Sequence, residues 1–297
     1  MTIVCGTDFS RNSASAARAA GAIAKRLALP LTLVHTIDAP GAEIGAGPAH
    51  GVVDEALRNR LDAQAQDLGE RFGIDVEPLI EPGAADERLV ALACSLDARL
   101  LVVASLGERR QERWRLGSVA ERVAQASPVP VLVVRDGGRL EAWARGERSL
   151  RVMVGVEPTP ASKAALRWAG ELRAIAPCEL LVAQIAWPAE AHDRIGLPTP
   201  MPLDHLRPEL EEALLRDLER WAGGPPGPGG RSFIVRPGWG RVDSHLTQLA
   251  AELEADLLVV GTHQRSGIAR LWQGSVSRGV LHAAAMSVAC VPAGGGD

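Results

Sequence analysis

The chain has 297 residues, of which 46% are hydrophobic and 23% charged, and its formal net charge is -4 at pH 7. This length predicts two domains of ordinary size, and the composition excludes a disordered or membrane protein. The slightly acidic balance argues against a dedicated nucleic-acid-binding protein, because such domains carry a basic stripe that neutralises phosphates.

The first residues, Met1 to Gly6, lack the cationic region and the long apolar run of a secretory signal. No apolar run approaches the ~18 residues of a membrane span. We therefore expect a cytoplasmic protein without membrane contact. The four cysteines are scattered singly through apolar segments, so we expect four buried thiols and no metal site.

In the first half, short runs of Val, Ile and Leu alternate with helical patterns, which is typical of βαβ units in a parallel sheet. We predict strands near residues 2–7, 30–37, 75–80, 99–104 and 130–135, and a helix over 119–126. The segment 39–51 is rich in Gly, Pro and Ala and is predicted to be a loop that covers a site, reaches a partner or is merely mobile.

The second half repeats this order. Strands are predicted near residues 151–156, 178–186, 231–236, 256–261 and 287–292, a helix over 276–284 and a loop over 188–205. The polar segment 137–149 carries no strand pattern and is interpreted as a linker. The predicted domains are therefore residues 1–136 and 150–293.

Equivalent residues establish a tandem duplication. Asp8 and Glu157 each follow the first strand of their copy, 149 residues apart (157 − 8), while Gly117 and Gly274 are 157 residues apart (274 − 117). The second copy therefore holds eight extra residues (157 − 149), which fit best in loops such as 188–202 or 223–230. The order, the spacing and the residue types repeat together.

A glycine-serine loop follows the fourth strand of each copy. A helix start offers unpaired backbone N–H groups and the positive end of a dipole, so each loop is a candidate phosphate site, bordering one crevice with the acidic residue if strand 1 lies beside strand 4. The alternative is that Gly-Ser only caps a helix, but its repetition at the same spacing favours phosphate binding. The loops read Ala104-x-x-Gly107, nine residues, Gly117-Ser118, and Gly261-x-x-Gln264, nine residues, Gly274-Ser275.

The two better-known nucleotide motifs, the dinucleotide turn and the P-loop, are absent. Neither lysine lies near the loops, so backbone amides, the helix dipole and the arginines at 109, 110 and 265 are the candidates for neutralising phosphate charge. The alternative for these arginines is a solvated role. Ser118 and Ser275 lack a neighbouring His and acid, so no catalytic residue is predicted.

These residues resemble a tandem member of the universal stress protein family, over both copies except the linker and the two variable loops. The family motif is Gly-x-x-Gly, nine residues, then Gly-[Ser/Thr], and the aspartate that ends its first strand faces the adenosine part of ATP. The resemblance implies ATP or a related adenine nucleotide as ligand, with or without Mg²⁺. The implied binding positions are Thr7, Asp8, Thr36, Ala104, Gly107, Gly117, Ser118 and Val119 in the first copy, and Glu157, Ile185, Gly261, Gln264, Gly274, Ser275, Val276 and Ser277 in the second.

Each copy departs from the family pattern. Ala104 replaces the first glycine of the motif in the first copy, whereas Glu157 and Gln264 replace the aspartate and the second glycine in the second. A bulky residue where glycine allows a positive φ reshapes a loop, so the first copy is predicted to be the better preserved site.

The resemblance implies an α/β fold of two doubly wound, Rossmann-like domains, each a five-stranded parallel sheet in the order 3-2-1-4-5 with helices on both faces. It also implies an internal pseudo-dimer through the last strands, 129–135 and 287–291, with homodimerisation and an unidentified protein partner left open. The predicted function is a stress-response protein that binds adenine nucleotide and acts through nucleotide-dependent association rather than dedicated catalysis. The alternatives are a nucleotide-independent interaction module with degenerate sites, and a weak ATPase.

Overall fold

The computed structural model describes residues 1–37, 48–107, 116–193, 196, 205–223, 231–262 and 275–294, and only the backbone of 48–54, 174 and 275. The chain divides into two compact units, unit 1 from Met1 to Glu147 and unit 2 from Arg148 to Asp297.

Unit 1 is built around a parallel sheet in the strand order β3-β2-β1-β4-β5. Helices α1, α2 and α5 lie on one face, because α1 packs against α2 and α5, while α3 and α4 pack together on the other. The elements are β1 Ile3–Gly6, α1 Arg11–Leu27, β2 Leu31–Ile37, α2 Pro48–Phe72, β3 Val76–Pro82, α3 Ala85–Ser95, β4 Leu100–Ala104, α4 Ser118–Ala126, β5 Val131–Val134 and α5 Gly137–Ala144.

Unit 2 has the same parallel topology, β8-β7-β6-β9-β10. The predicted order and the α/β fold class are confirmed, and the predicted strands match the observed ones to within two residues at each end. Its elements are β6 Leu150–Gly155, α6 Pro160–Glu171, a 3₁₀ turn Leu172–Ala174, β7 Cys178–Ala186, α7 Pro188–Asp193, α8 Pro208–Ala222, β8 Arg231–Pro237, α9 Val242–Glu252, β9 Leu257–Thr262, α10 Ser275–Ala283 and β10 Ser287–Pro292.

The strands are apolar because helices cover both faces of each sheet. The central strands β1 and β6 are almost completely inaccessible: Ile3, Val4 and Cys5 are 0% exposed, as are Met153 and Val154. Burying side chains of this size stabilises a fold by about 1.5–3 kcal/mol each. This continuous burial explains why the strands read as unbroken apolar runs.

The helices that follow β1 and β6 begin in the same way. Ser10 caps α1 by accepting the Ser13 N–H at 3.1 Å, and Thr159 caps α6 by accepting the Ser162 N–H at 3.2 Å. Each cap satisfies a backbone donor that the first turn leaves unpaired, a contribution of about 1 kcal/mol. Pro160 adds a rigid first helical residue to α6.

Glycines in the central strands confirm that the two units are equivalent. A Cβ atom at Gly6 would lie 2.9 Å from Cδ1 of Leu89, and one at Gly155 would lie 2.9 Å from Cδ1 of Leu246. The absence of a side chain therefore lets α3 and α9 pack closely on β1 and β6 in the same manner.

Three local features differ from the sequence expectations. Residues 137–144 of the segment interpreted as a linker form α5, because Leu140 and Trp143 provide a buried apolar face against α1. Residues 188–193 of the predicted loop form the short helix α7. The prediction of four buried thiols is wrong for Cys94, which is exposed on α3.

The turn between β8 and α9 is also longer than its counterpart. It has four residues, Gly238 to Arg241, where the turn between β3 and α3 has two, Gly83 and Ala84. Two of the eight extra residues of the second copy therefore lie in this turn. Among the described helices, none is both long and apolar enough to cross a membrane.

Candidate functional site

The candidate site of each unit lies where its first and fourth strands end. In unit 1 β1 pairs with β4, Cys5 lying opposite Val102, and in unit 2 β6 pairs with β9, Gly155 lying opposite Val260. The predicted adjacency of strands 1 and 4 is confirmed. The acidic residue and the start of the glycine loop therefore emerge side by side at the carboxyl edge of each sheet, where ligands of open parallel sheets bind.

A network of short polar side chains fixes the turn after β1. The Thr7 N–H donates to the carbonyl oxygen of Val34 at 2.8 Å, and the Thr7 hydroxyl donates to Oε1 of Gln64 at 3.1 Å. Oδ1 of Asp8 accepts the Ser10 N–H at 3.1 Å. The carboxylate thus shapes its own loop, as aspartates in tight turns do.

Asp8 and Gly107 meet across the crevice. A Cβ atom at Gly107 would lie only 2.4 Å from Oδ2 of Asp8. Any side chain at position 107 would displace the carboxylate. The structure therefore brings together two residues, 99 positions apart (107 − 8), that the sequence identifies as site residues for separate reasons.

The start of α4 completes the unit 1 site. Gly117 is the N-cap residue of α4, and no side chain caps the helix. Its own N–H donates to the Ser105 carbonyl at 2.6 Å, which fixes the loop end to the end of β4. Ser118 and Val119 are therefore the first helical residues, half-buried, and Ser118 does not act as the cap.

An aspartate near the start of α3 and of α9 faces the helix that follows each glycine loop, but only in unit 1 does its ion pair join the two helices. In unit 1 Asp86 of α3 binds Arg122 of α4 at 2.6 Å, and this hydrogen bond is the main reason that the pKa of Arg122 is raised. In unit 2 Asp243 binds Arg241, and Gly279 of α10 lies directly against the Asp243 carboxylate. The equivalent of Arg122 is this glycine, because 122 + 157 = 279.

The ends of β2 and β4 flank the unit 1 crevice. Thr36 is half-buried on β2, opposite Glu81 of β3, and Ala104 is half-buried at the end of β4, opposite Val134. Both positions lie near the carboxyl ends of their strands, where the backbone is extended.

An aromatic cluster beside Asp8 was not anticipated from the sequence. Phe9 has a left-handed backbone, with φ 62°, and its ring centroid lies 4.6 Å from that of His35. The guanidinium of Arg60 lies 4.5 Å from the Phe9 ring centroid, and Nδ1 of His35 donates to the Thr7 carbonyl at 2.7 Å. His35 therefore both packs on Phe9 and fixes the turn. The pairing of Phe9 with a residue 51 positions away has no local sequence signal.

The corresponding turn of unit 2 has a different backbone. Pro158 stands where unit 1 has Phe9, and proline cannot adopt a positive φ. Glu157 donates its N–H to Oγ of Ser162 at 3.0 Å, but its carboxylate is exposed and forms no hydrogen bond or ion pair with a described residue. Glu157 therefore does not organise its turn as Asp8 does.

Gly261 serves helix packing in unit 2. A Cβ atom there would lie 2.5 Å from the carbonyl carbon and oxygen of Ala161, which is in the first turn of α6. Helix α6 thus sits on the first glycine of the motif. Ile185 is buried near the end of β7, and a Cβ atom at Gly238 would lie 2.4 Å from its side chain, so the longer β8 turn covers it.

The rest of the second loop is described only at its end. Ser275 begins α10, followed by Val276 and Ser277, which are half-buried. The predicted site residues Gln264 and Gly274 lie outside the described residues, as do the arginines at 109, 110 and 265.

Comparisons with known proteins identify the family of this chain. The sequence profile of the universal stress protein family matches residues 1–135 and again residues 149–292. Two proteins of Mycobacterium tuberculosis (strain ATCC 25618 / H37Rv), both named universal stress proteins, are similar along nearly their whole lengths. One is 28% identical, with 96% of this chain and 95% of the relative covered, and the other is 29% identical, with 95% and 93% covered.

A solved structure supports the fold independently. The crystal structure of a universal stress protein from Archaeoglobus fulgidus DSM 4304 aligns with 99% of this chain and 98% of its own, with a TM-score of 0.66 and 18% sequence identity. At this identity the likeness concerns the fold, and it extends over both units.

Proposed function

The chain belongs to the universal stress protein family, and from that premise we propose that it is a stress-response protein that binds ATP or a related adenine nucleotide in unit 1. Occupancy of this site biases association with a protein partner. Such coupling requires that the nucleotide has different affinities for the free and the associated states. Its predicted location is the cytoplasm.

The contact between Asp8 and Gly107 carries the proposal. A carboxylate held at the carboxyl edge can accept hydrogen bonds from ribose hydroxyls, and a glycine beside it lets phosphates approach the backbone. The proximity of the end of β1 to the loop after β4 supports recognition of sugar and phosphate in one crevice.

The start of α4 supports a phosphate site. Because Gly117 caps α4 without a side-chain acceptor, the first N–H groups of α4 receive no side-chain cap, and they form the positive end of the helix dipole. The Ser118 hydroxyl adds a donor. The residues of unit 1 therefore fit a nucleotide that needs no lysine for its phosphates. When bound, the nucleotide would supply the negative charge that this helix start favours, and Mg²⁺ is an optional companion of its phosphates.

Unit 2 favours a second function. The Glu157 side chain is exposed, and Gly261, the first glycine of the motif, packs against α6. The features that fit a nucleotide in unit 1 are therefore altered in unit 2. We infer that unit 2 contributes mainly as an interaction module. The nucleotide-independent alternative thus applies to half of the chain rather than to all of it.

Calorimetric titration of the nucleotide-free protein with ATP and Mg²⁺ tests the proposal. Gly117 has φ -86°, which any residue can adopt, and a Cβ atom there would lie 3.3 Å from the Ser105 carbonyl oxygen, so Gly117→Glu requires a small local shift and its folding is checked by circular dichroism. The added carboxylate would face the phosphates and is expected to weaken binding by at least about 100-fold. Gly274→Glu is expected to have little effect.

Gly170→Glu is the matched control. It adds the same charge on α6, where no atom lies within 4 Å of the Cβ position, and it is expected to bind as wild type does. No binding by folded, nucleotide-free wild type would refute the proposal. Loss of binding in Gly274→Glu alone would move the site to unit 2, and rapid phosphate release would indicate an ATPase instead.

A further inference from the structure

An open cleft of about 580 Å³ lies on the outer side of α6 in unit 2. Lys163 and Arg167 border it along one side of the helix, Trp221 at the end of α8 forms another wall, and Ala293 and Gly294 after β10 form a third. Its size is that of a ligand or peptide side-chain pocket.

The cleft is cationic. Lys163 and Arg167 are one helical turn apart, and the residues that line the cleft include no acid. Nζ of Lys163 lies 4.6 Å from the Trp221 ring centroid and donates to the Trp221 carbonyl oxygen. Arg167 forms no ion pair or hydrogen bond with any described residue. Like charges at this helical spacing repel each other, so an anion in the cleft would be stabilising.

The same position in unit 1 is filled by α5. Arg167 is equivalent to Arg18 (18 + 149), and Ala293 and Gly294 are equivalent to Asp136 and Gly137 (136 + 157 and 137 + 157). In unit 1 the chain continues from these two residues into α5, which packs on α1.

The contacts of α5 show how this surface is recognised. A Cβ atom at Gly137 would lie 2.4 Å from the Ser15 carbonyl oxygen, so α5 touches the α1 backbone. Trp143 is 1% exposed, and Glu141 is 7% exposed. Glu141 lies 3.5 Å from Nε of Arg18 and 2.6 Å from a nitrogen of Arg71. The buried Trp143 side chain and the Glu141 carboxylate therefore hold α5 in place.

The second arginine contact also has a counterpart in the cleft. Arg71 and Trp221 are both the next-to-last residues of their helices, α2 and α8. Each helix is followed by a glycine of positive φ, Gly73 and Gly223. Unit 2 thus offers one free guanidinium and an aromatic wall where unit 1 offers two guanidinium groups.

We propose that the unit 2 cleft is a docking site for an acidic, amphipathic helical segment of a partner protein, which binds it as α5 binds α1. The segment presents a carboxylate to Arg167 and Lys163 and an apolar side chain to the Trp221 wall. This goes beyond nucleotide binding and does not depend on it, because none of the lining residues belongs to the unit 1 site.

A synthetic peptide of residues 136–147 tests the proposal with the full-length protein. The peptide carries a fluorophore and is kept helical by a staple between positions 138 and 142, which are exposed and half-buried, respectively, in unit 1. Fluorescence anisotropy is expected to show saturable binding with a dissociation constant below about 1 mM. Arg167→Glu is expected to weaken it by about tenfold, because repulsion replaces attraction.

Charge reversal of both partners identifies the contact. The peptide with Glu141→Arg is expected to bind wild type weakly and to regain affinity for the Arg167→Glu protein, which also shows that this variant is folded. Arg216→Glu, an exposed change on α8, is the control and should bind the unmodified peptide as wild type does. Absence of saturable binding, equal affinity in Arg167→Glu, or failure of the reversed pair to regain affinity would overturn the proposal. So would binding of inorganic phosphate that depends on Arg167 when the peptide does not bind.

Discussion

Units 1 and 2 share a topology, strand register and helix caps, yet they differ at the residues that border the crevice. In unit 1 the Asp8 carboxylate closes its own turn and touches Gly107. In unit 2 the Glu157 carboxylate is exposed, and Gly261 supports α6 instead. The equivalent glycines Gly6 and Gly155 have the same packing role in both units. The sheets and their helices therefore differ less between the units than the candidate sites do.

The difference shows that a motif glycine can be retained for packing. Gly261 matches the first glycine of the family motif, whereas unit 1 has Ala104 at that position. The unit with the intact first glycine is therefore the one in which that glycine contacts a helix backbone. Retention of the motif residue alone does not identify the better nucleotide site.

Exchange of these two residues should give the largest difference between the units. Gly261→Ala places a Cβ atom 2.5 Å from the Ala161 backbone, and overpacking of this kind costs about 2–3 kcal/mol. Ala104→Gly should cost about 0.5–1 kcal/mol, the usual penalty for glycine in a strand. Hydrogen exchange of peptides from β9 and β4 measures the stability of each unit separately. Equal, small losses in both variants would refute the packing role of Gly261.

The turn after the first strand provides the second contrast. Phe9→Pro forces φ from 62° to a negative value and removes an N–H that donates to the Thr7 hydroxyl at 3.2 Å. We expect unit 1 to lose about 2 kcal/mol, because proline is incompatible with this backbone. Pro158→Ala should cost unit 2 less than about 1 kcal/mol, since only the entropy of the unfolded chain changes. Urea unfolding followed by peptide-resolved exchange provides the comparison, and similar losses would show that the two turns are alike.

These contrasts mark the limit of sequence-based prediction for this protein. The strands were predictable because burial on both faces produces continuous apolar runs, and the proximity of Asp8 to the glycine loop followed from parallel topology. The left-handed backbone of Phe9 was not predictable, since phenylalanine carries no signal for a positive φ. Helix α5 was not predicted, because its apolar residues, Leu140 and Trp143, stand in a polar segment. Its partner, α1, lies more than 100 positions earlier in the chain. For example, Arg26 of α1 donates a hydrogen bond to the carbonyl oxygen of Ala144, 118 positions away (144 − 26).

The carboxylate that seats α5 should matter more than one in an exposed ion pair. Glu141 is 7% exposed and binds Arg18 and Arg71, so Glu141→Gln should destabilise unit 1 by about 1–2 kcal/mol. Glu179 pairs with Arg151 at 2.8 Å on the surface of unit 2, and Glu179→Gln should cost less than about 0.5 kcal/mol. Denaturant titrations at low and at 1 M salt separate the two, because screening removes the exposed pair first. Equal costs would mean that α5 is held by its apolar contacts alone.

The smallest effect is one in which the units should not differ. Burial raises the pKa of Cys5 in β1 and of Cys290 in β10 from 9.0 to about 12. In the unfolded chain both thiols ionise near pH 9 while the folded thiols stay protonated, so stability is unaffected below pH 9 and falls as pH rises from about 9 to 12. At pH 9 the loss is under about 1 kcal/mol for each thiol. Cys5→Ala and Cys290→Ala should each remove their share of this pH dependence, measured by unfolding at pH 8 and pH 10, and Cys94→Ala on the exposed face of α3 should not. If the loss of stability at high pH came from only one of the two cysteines, the buried strands of the two units would differ in how well they shield their thiols, just as the two crevices differ.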